Sequence, residues 1–263
     1  MRGALLAGFF GLFLLFLYGP TLTITLLSFQ GPEGGLTFPM RGASLHWFGR
    51  LFQRQSVGDF GAALTRSLLL GVMVMAATVA VSVSAGLAFR RRFRGAGALF
   101  QLTVASLIVP SILVSLGIGL LFSQAGLDAT WWNAAFGAQL TWTLPFGLLI
   151  MFAVFNRFDR AWEEAARDLG ASPWQGFHHV VLPIIAPSVV GVALFGFSLS
   201  YDEFARTLLT AGSANTLPLE IYGMTTNVTS PVLYALGTVT TGVSLVAIAL
   251  ALGLMKWLGR RKG

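Results

Sequence analysis

Six long runs of apolar residues, separated by more polar segments, constrain this chain more than any other feature of its sequence. Each run is close to the about 20 residues that an α-helix needs to cross a lipid bilayer. The apolar residues are continuous within a run, which predicts helices, because the strands of a membrane barrel alternate apolar and polar residues. The predicted spans cover approximately residues 5–29, 63–89, 99–122, 136–155, 187–209 and 234–258.

The composition agrees with lipid as the solvent for most of the chain. Of its 263 residues, 55% are hydrophobic and only 10% are charged, whereas a soluble domain has about 25% charged residues. We find no internal repeat and no low-complexity linker, so a single domain over residues 1–263 is the simplest interpretation. The sequence therefore predicts an all-α polytopic membrane protein with six transmembrane helices.

The basic residues predict how the spans are oriented. With a cytoplasmic N-terminus and alternating spans, twelve of the 17 Arg and Lys residues fall in cytoplasmic segments and five fall outside. Cytoplasmic segments of membrane proteins carry an excess of basic residues, so both termini are predicted to be cytoplasmic. The net charge of +7 comes from basic residues that flank apolar runs. It therefore indicates the orientation of the spans in the membrane and not nucleic-acid binding. The five outer residues are Arg41, Arg50, Arg54, Arg66 and Arg206.

Several kinds of chemistry are excluded by residues that the sequence lacks. It has no cysteine, which excludes disulfides, thiolate metal sites and thiol nucleophiles. A phosphate-binding loop needs glycines followed by Lys and then Ser or Thr, but Lys256 and Lys262 are followed by Trp and Gly. The adjacent His178 and His179 point to different helix faces. We predict no catalytic residue, no metal and no bound cofactor.

The polar segment 156–186, between the fourth and fifth predicted spans, contains two short predicted helices. Asp159 is suited to cap the first helix, and Gly170 is suited to end it in a left-handed conformation. Ser172 followed by Pro173 is typical of the start of the second helix. The segment, which we call the elbow, is therefore predicted to be a rigid helix–turn–helix.

The elbow is predicted to be separate from the fifth span, because Pro183 and Pro187 are expected to end its second helix first. Five of its apolar residues, mostly alanine or aromatic, could contact another surface, which a solvated surface loop does not need. Adjacent alanines let another surface come close, so the elbow is predicted to dock into a groove of a partner protein. These apolar residues are Ala165, Ala166, Leu169, Trp174 and Phe177.

The elbow also resembles the signature loop of the permease subunits of ATP-binding-cassette (ABC) importers. That signature reads Glu-Ala-Ala, three residues, Gly, nine residues, Ile, one residue and Leu-Pro. The matching residues here run from Glu164 to Pro183 with the same spacing, and Val180 stands in place of Ile. The alternative is an interfacial loop with no coupling role.

This resemblance implies the fold and the function of a type I importer permease. In that family the loop is a coupling helix that receives motion from a separate ATPase, which alone uses ATP and Mg²⁺. The implied partners are a homologous second permease, two ABC ATPase subunits, an extracytoplasmic solute-binding protein and the lipid of the bacterial inner membrane. The implied coupling residues are Glu163, Glu164, Ala165, Ala166, Leu169, Gly170, Trp174, Leu182 and Pro183.

A second resemblance concerns the transported solute. Residues 198–204 (SLSYDEF) and 216–224 (TLPLEIYGM) are similar to the spermidine/putrescine group of these permeases, specifically to its C-type subunit. The likeness extends over most of the chain and implies a polyamine or a related small polar solute. The same branch contains permeases for aminoethylphosphonate and ferric iron, and these solutes stay as alternatives.

Two acidic residues near the end of the fifth predicted span are candidates for the translocation path. Asp202 lies 15 residues after Pro187, about 22 Å along a helix, which places it and Glu203 in the outer part of the membrane. Carboxylates at membrane depth cost about 2.5–3.5 kcal/mol on insertion scales and usually face a wet cavity or the protein interior. The alternative to a path is a structural ion pair with Arg206 or Arg66. The candidate path and gate residues are Tyr201, Asp202, Glu203, Phe204 and Tyr222.

A stand-alone secondary carrier or an intramembrane enzyme is the rival hypothesis. Either protein would need buried acid–base or nucleophile pairs in several of its spans. The first, third, fourth and sixth predicted spans hold no Asp, Glu, Lys, Arg or His in their cores. The sequence therefore favours a permease that a separate ATPase drives.

Overall fold

The computed structural model describes residues 2–53, 58–91, 93–227 and 230–260. Within these ranges the chain is almost entirely helical and has no strand, with a lone antiparallel bridge between Gln30 and Ala43. The long apolar runs form helices because a helix satisfies its own backbone hydrogen bonds, which lipid cannot do. The all-α prediction is confirmed.

Eleven α-helices and one π-helical turn make up the described part of the chain. In chain order, the α-helices are α1 (Arg2–Leu27), α2 (His46–Leu51), α3 (Phe60–Phe89), α4 (Ala96–Ala105), α5 (Ser111–Gln124), α6 (Ala134–Asn156), α7 (Ala161–Asp168), α8 (Pro173–Gly176), α9 (Leu182–Tyr201), α10 (Leu217–Asn227) and α11 (Val232–Arg260). The π-helical turn, Phe177–Val181, lies between α8 and α9.

The backbone contacts divide the chain into two compact units. The first unit combines residues 1–62 with 220–245, and the second combines residues 63–219 with 246–263. The second unit contains the elbow. That the whole chain forms one domain stays a prediction.

Five helices in the described ranges are long and apolar enough to cross a membrane. They are Leu5–Leu27, Phe60–Phe89, Ala134–Asn156, Pro173–Tyr201 and Val232–Leu258. These helices correspond to five of the six predicted spans, and the number six itself stays a prediction.

The single helix predicted for residues 99–122 is wrong, because the chain divides this run into α4 and α5. The break covers residues 106–110 and ends at Pro110, whose extended backbone (φ −56°, ψ 129°) precedes α5. Proline lacks the N–H that a continuing helix requires, and it disfavours helical geometry in the residue before it. Both pieces are shorter than a full span.

The bounds 187–209 predicted for the fifth span are wrong at both ends. The helix α9 begins at Leu182 and contains Pro187, and it ends at Tyr201. Beyond Tyr201 the chain forms turns, because the side chain of Glu203 accepts a hydrogen bond from the backbone N–H of Arg206 at 2.9 Å. The acidic residues therefore lie after the helix and not inside it.

The core of the second unit forms where α6 packs against α3 and α9. Met151 and Phe155 of α6 share one buried apolar cluster with Val83 of α3 and Ile185 of α9. The same cluster includes Val181, in the π-helical turn of the elbow. The packing therefore anchors the elbow to the ends of three helices.

The first unit is held together by polar side chains that bind backbone groups. The side chain of Gln30 donates to the carbonyl of Gly35 at 2.6 Å and accepts from the N–H of Arg41 at 3.1 Å. The buried carboxylate of Glu220 accepts from the N–H of Asp59 at 2.5 Å. These bonds satisfy buried polar groups that would otherwise cost free energy.

Candidate functional site

The first arm of the elbow is α7, and its C-terminal end is formed as the sequence predicted. Its N-cap residue is Arg160, which makes no side-chain capping bond, and the predicted cap residue, Asp159, bonds the first turn from one position earlier. The carboxylate of Asp159 accepts a hydrogen bond from the N–H of Ala161 at 2.9 Å. After α7, Gly170 has a φ of +86°. Its N–H donates to the carbonyl of Arg167 at 2.8 Å, and the N–H of Ala171 donates to that of Ala166 at 3.0 Å. These two bonds define a Schellman motif, in which glycine is favoured because it has no Cβ.

The second arm begins at Ser172, again as predicted. The hydroxyl of Ser172 accepts from the N–H of Gln175 at 3.3 Å, and the side chain of Gln175 accepts from the N–H of Ser172 at 2.8 Å. This reciprocal capping box is followed by Pro173 at the first helical position, where a missing N–H has no cost. The turn between the arms is therefore fixed on both sides.

The separation predicted between the second arm and the fifth span is wrong. The arm continues through the π-helical turn into α9, so one helix runs over Pro173–Tyr201. At this turn the N–H of Leu182 donates to the carbonyl of Phe177. The wider turn precedes Pro183, which occupies the start of α9, where proline is tolerated. Any movement of the second arm is consequently a movement of α9.

Arg90, the first residue after α3, joins the elbow to the end of that helix. Its guanidinium donates to both carboxylate oxygens of Glu163, at 2.8 and 2.9 Å. The guanidinium also lies over the rings of Phe155 and Phe158, 5.4 and 5.0 Å from their centroids. The carbonyl of Arg90 accepts from the side chain of Arg160 at 2.7 Å. Sequence reasoning gave Arg90 no role beyond orientation, although its place in a basic cluster beside an acidic helix was a usable signal.

Three large apolar side chains of the elbow are exposed. Leu169 is 90% exposed, Trp174 is 70% exposed and Trp162 is 61% exposed. Trp174 stacks against His178 with ring centroids 5.9 Å apart. Large apolar side chains held so far out of the core by rigid caps are typical of an interaction surface. We call Trp162, Leu169 and Trp174 the apolar face.

The predicted coupling residues divide into two groups. Glu163, Ala166 and Leu182 are half-buried against the rest of the second unit. The exposed group consists of Glu164, Ala165, Leu169, Gly170, Trp174 and Pro183. The two glutamates thus differ, because Glu163 is half-buried and paired with Arg90, whereas Glu164 is exposed. Trp162, which the sequence analysis did not select, belongs with the exposed group.

A cavity of about 450 Å³ lies beside the elbow, between the end of α3 and the two arms. Its lining is rich in charge, and the pair formed by Arg90 and Glu163 is already neutralised. The remaining charges leave it basic. The charged lining residues are Arg90, Arg91, Arg160, Glu163, Glu164 and Arg167.

The candidate gate residues of the second unit lie at the last residue of α9 and in the turn that follows it. Tyr201 is buried and stacks on Phe197 with ring centroids 5.8 Å apart. Asp202 is exposed, whereas Glu203 and Phe204 are half-buried. Tyr222, on α10 and in the first unit, is 55% exposed.

An ion pair with Arg206, the alternative left open by the sequence, is present for Glu203. Their side chains approach to 3.7 Å. Arg206 is only 1% exposed, and it also donates to the hydroxyls of Ser111 at 2.6 Å and Thr141 at 3.3 Å. Its guanidinium lies 4.7 Å from the ring centroid of Trp142. Sequence reasoning missed these partners on α5 and α6, because nothing local to residues 202–206 indicates them.

A second polar network fixes the same turn. The side chain of Gln139, buried in α6, accepts from the hydroxyl of Ser200 and donates to that of Thr207 at 3.3 Å. The hydroxyl of Thr207 in turn donates to the carbonyl of Glu203 at 2.6 Å. Buried polar groups linked in this way specify one arrangement of the turn. Among the described residues, no group of three or more His, Cys, Asp or Glu side chains could hold a metal ion.

Comparison with known proteins identifies the family. Residues 78–263 match the family described as the inner membrane component of binding-protein-dependent transport systems. The chain belongs to this family of importer permeases. It is thus a multi-pass inner membrane protein and a permease subunit of an ABC importer, as the elbow signature predicted.

Two relatives show how far the likeness extends. The permease is 30% identical over 251 residues to the spermidine/putrescine transport system permease protein PotC of Escherichia coli strain K12, covering 94% of this chain and 93% of that protein. It is 29% identical over 236 residues to the putrescine transport system permease protein PotI of the same strain, covering 86% and 82%.

Solved structures share the fold of the permease. A chain of a bacterial ABC transporter that imports the acidic polysaccharide alginate matches with a TM-score of 0.72 and 16% identity, covering 97% of this chain and 95% of that one. The MetNI methionine ABC transporter matches with a TM-score of 0.60 and 14% identity, covering 76% and 95%. The predicted fold class of a type I importer permease is confirmed.

Proposed function

We propose that this permease forms half of the translocation path of an ATP-driven importer for spermidine, putrescine or a related cationic solute. The observation that carries the proposal is the elbow, a rigidly capped turn with an exposed apolar face, in a chain that is similar to PotC over 94% of its length. The polyamine assignment comes from that resemblance. The coupling mechanism comes from the elbow.

The apolar face is suited to a groove in an ATPase subunit. An exposed apolar patch suits a protein–protein contact, and a partner that covers Leu169 and Trp174 would remove their side chains from water. A short amphipathic helix laid into a groove buries its apolar anchors and leaves its charges at the rim. In this arrangement Leu169 and Trp174 are the anchors, and Glu164 lies at the rim.

The complete importer would contain four kinds of polypeptide. They are this permease, a homologous second permease, two copies of an ABC ATPase and an extracytoplasmic solute-binding protein. The elbow would face the cytoplasm in this assembly, because the excess of basic residues predicts that both termini lie on that side. This chain would not itself hydrolyse ATP, since it has no Lys-Ser or Lys-Thr for a phosphate-binding loop. ATP and Mg²⁺ therefore belong to the ATPase.

The elbow and the candidate gate lie at opposite ends of one helix. The helix Pro173–Tyr201 has 29 residues, which corresponds to about 43 Å at 1.5 Å per residue. Trp174 of the apolar face lies at its beginning, and Asp202 and Glu203 follow its end. A displacement of the elbow by the ATPase would move the turn at the far end, and this turn would open or close the path.

The gate chemistry suits a cation. Asp202 is exposed beside a turn that several buried hydrogen bonds hold in place. An exposed carboxylate attracts an ammonium group of a polyamine. Glu203, in contrast, is already paired with Arg206, so we assign it a structural role in the gate.

Transport by the reconstituted complex tests the proposal. Proteoliposomes are prepared with both permeases and the ATPase, and the binding protein and labelled solute are added outside. They are expected to accumulate spermidine or putrescine when ATP is enclosed in the lumen, on the side of the membrane that carries the ATPase. Accumulation without the ATPase would instead indicate a stand-alone carrier. Uptake of aminoethylphosphonate or ferric iron, with no uptake of polyamines, would overturn the solute assignment and leave the ATP-driven permease intact.

A further inference from the structure

The elbow is attached to the rest of the second unit in more than one way. Its first arm follows α6 in the chain, and its second arm is continuous with α9. The end of α3 is distant from the elbow in sequence, yet Arg90 connects the two through its side chain and its carbonyl. If the elbow were joined to α9 alone, its movement would be transmitted directly to α9 but not to α3.

We propose that Arg90 is a positioning residue that makes the end of α3 move together with the elbow, so that the motion driven by the ATPase enters the bundle through α3 as well as α9. The inference rests on the proposed function, because it assumes that an ATPase moves the elbow. It adds a residue outside the signature loop to the coupling machinery.

The geometry explains why this position requires arginine. The planar guanidinium matches both oxygens of Glu163 at 2.8 and 2.9 Å, a bidentate contact that lysine cannot make. The two side chains are 13% and 20% exposed, so water screens the pair weakly. The rings of Phe155 and Phe158 hold the same cation from another side. Because these contacts hold the guanidinium of Arg90 from several sides, a displacement of the elbow should also displace Arg90 and the end of α3.

The two adjacent glutamates therefore have different tasks. Glu163 is half-buried and binds Arg90, whereas Glu164 is exposed and makes no salt bridge with Arg90. Because successive residues on a helix point in different directions, a single short helix contacts its own bundle and a partner at once. Loss of Glu164 should affect docking of the ATPase, and loss of Glu163 should affect transmission.

The experiment compares solute transported per ATP hydrolysed in the full reconstituted importer. R90A and E163A are expected to retain bound ATPase and to lower this ratio about tenfold, since each removes a charge-assisted hydrogen-bonded pair. The matched control is R91A, which removes the neighbouring exposed arginine and should leave the ratio unchanged. R90K keeps the charge and the stem, and it should give an intermediate ratio.

A charge exchange makes the test specific to the pair. R90E and E163R alone should each lower the ratio, and the double variant R90E/E163R should give a higher ratio than either single variant. Ratios for R90A and R90K equal to that of R91A would overturn the role of Arg90 while the proposed function stands. A double variant no better than the single ones would also overturn it. Wild-type permease that binds no ATPase would instead refute the proposed function.

Discussion

The guanidinium of Arg206 lies over the indole ring of Trp142, 4.7 Å from the ring centroid. This contact joins the turn after α9 to the face of α6, and the hydroxyl of Ser111 extends the connection to α5 at 2.6 Å. One buried cation therefore organises three separate parts of the chain. The turn that we assign to the gate is therefore held in one conformation by side-chain contacts.

The substitution Arg206→Met tests how much this cation contributes to the stability of the permease. Methionine fills much of the volume but leaves the carboxylate of Glu203 and the hydroxyl of Ser111 without their charged partner. Breaking a buried pair on one side destabilises a protein by about 3 kcal/mol or more. The free energy of unfolding in a denaturing-detergent titration should fall by that amount. Arg66→Met, which removes an exposed bond to the carbonyl of Asn215, is the control and should cost less than about 1 kcal/mol.

The left-handed glycine of the elbow should tolerate asparagine but not valine. A β-branched residue at the φ of +86° found for Gly170 costs roughly 1–2 kcal/mol and would distort the turn between the arms. Gly170→Val should therefore abolish ATP-driven uptake while the binding protein still binds solute. Gly170→Asn should retain most of the uptake, because asparagine adopts this conformation most readily after glycine. Normal uptake by the valine variant would contradict the coupling role of the elbow.

The substitution Leu169→Ala separates docking from stability. Leu169 is 90% exposed, so its truncation should change the free energy of unfolding of the isolated permease by less than about 0.5 kcal/mol. Affinity for the ATPase, measured by titration in detergent, should fall at least about tenfold if the side chain fills a pocket of the partner. Leu45→Ala removes a leucine that is 67% exposed in the first unit, and it should change neither quantity. Equal affinity for both variants would exclude Leu169 as an anchor.

The exposed acid after α9 should act through its charge. Asp202→Asn is expected to raise the concentration for half-maximal polyamine uptake about threefold at low ionic strength. The difference should shrink as salt is added, because salt screens exposed charges. Asp128→Asn, at another exposed acid of the second unit, should have no such effect. Equal shifts for the two variants would mean that the overall charge, and not Asp202, attracts the solute.

Local signals predicted the elbow well. Asp159, Gly170 and Ser172 act on their own neighbours, within a few residues along the chain, so capping rules were enough to place both arms. The apolar runs predicted membrane helices for a similar reason, because each helix satisfies its own backbone. The break before Pro110 was missed because the apolar run continues through it, and hydropathy does not register the missing N–H.

Contacts between segments that are distant in the chain could not be predicted from the sequence. Arg90 and Glu163 are 73 residues apart, and Arg206 and Ser111 are 95 residues apart. No periodicity or spacing within one segment brings such residues together, since their meeting depends on how α3, α5 and α6 pack. The end of α9 was misplaced for the same reason, because the polar turn that follows it is fixed by side chains of α6.

Site-specific cross-linking gives the most direct test that the elbow contacts an ATPase subunit, which moves it during transport. The chain has no native cysteine, so Leu169→Cys introduces one thiol at the centre of the apolar face. In the assembled, transport-active importer this thiol should cross-link to the ATPase subunit, and Leu45→Cys should not. Robust ATP-driven uptake with no cross-link from position 169 to the ATPase would contradict the account.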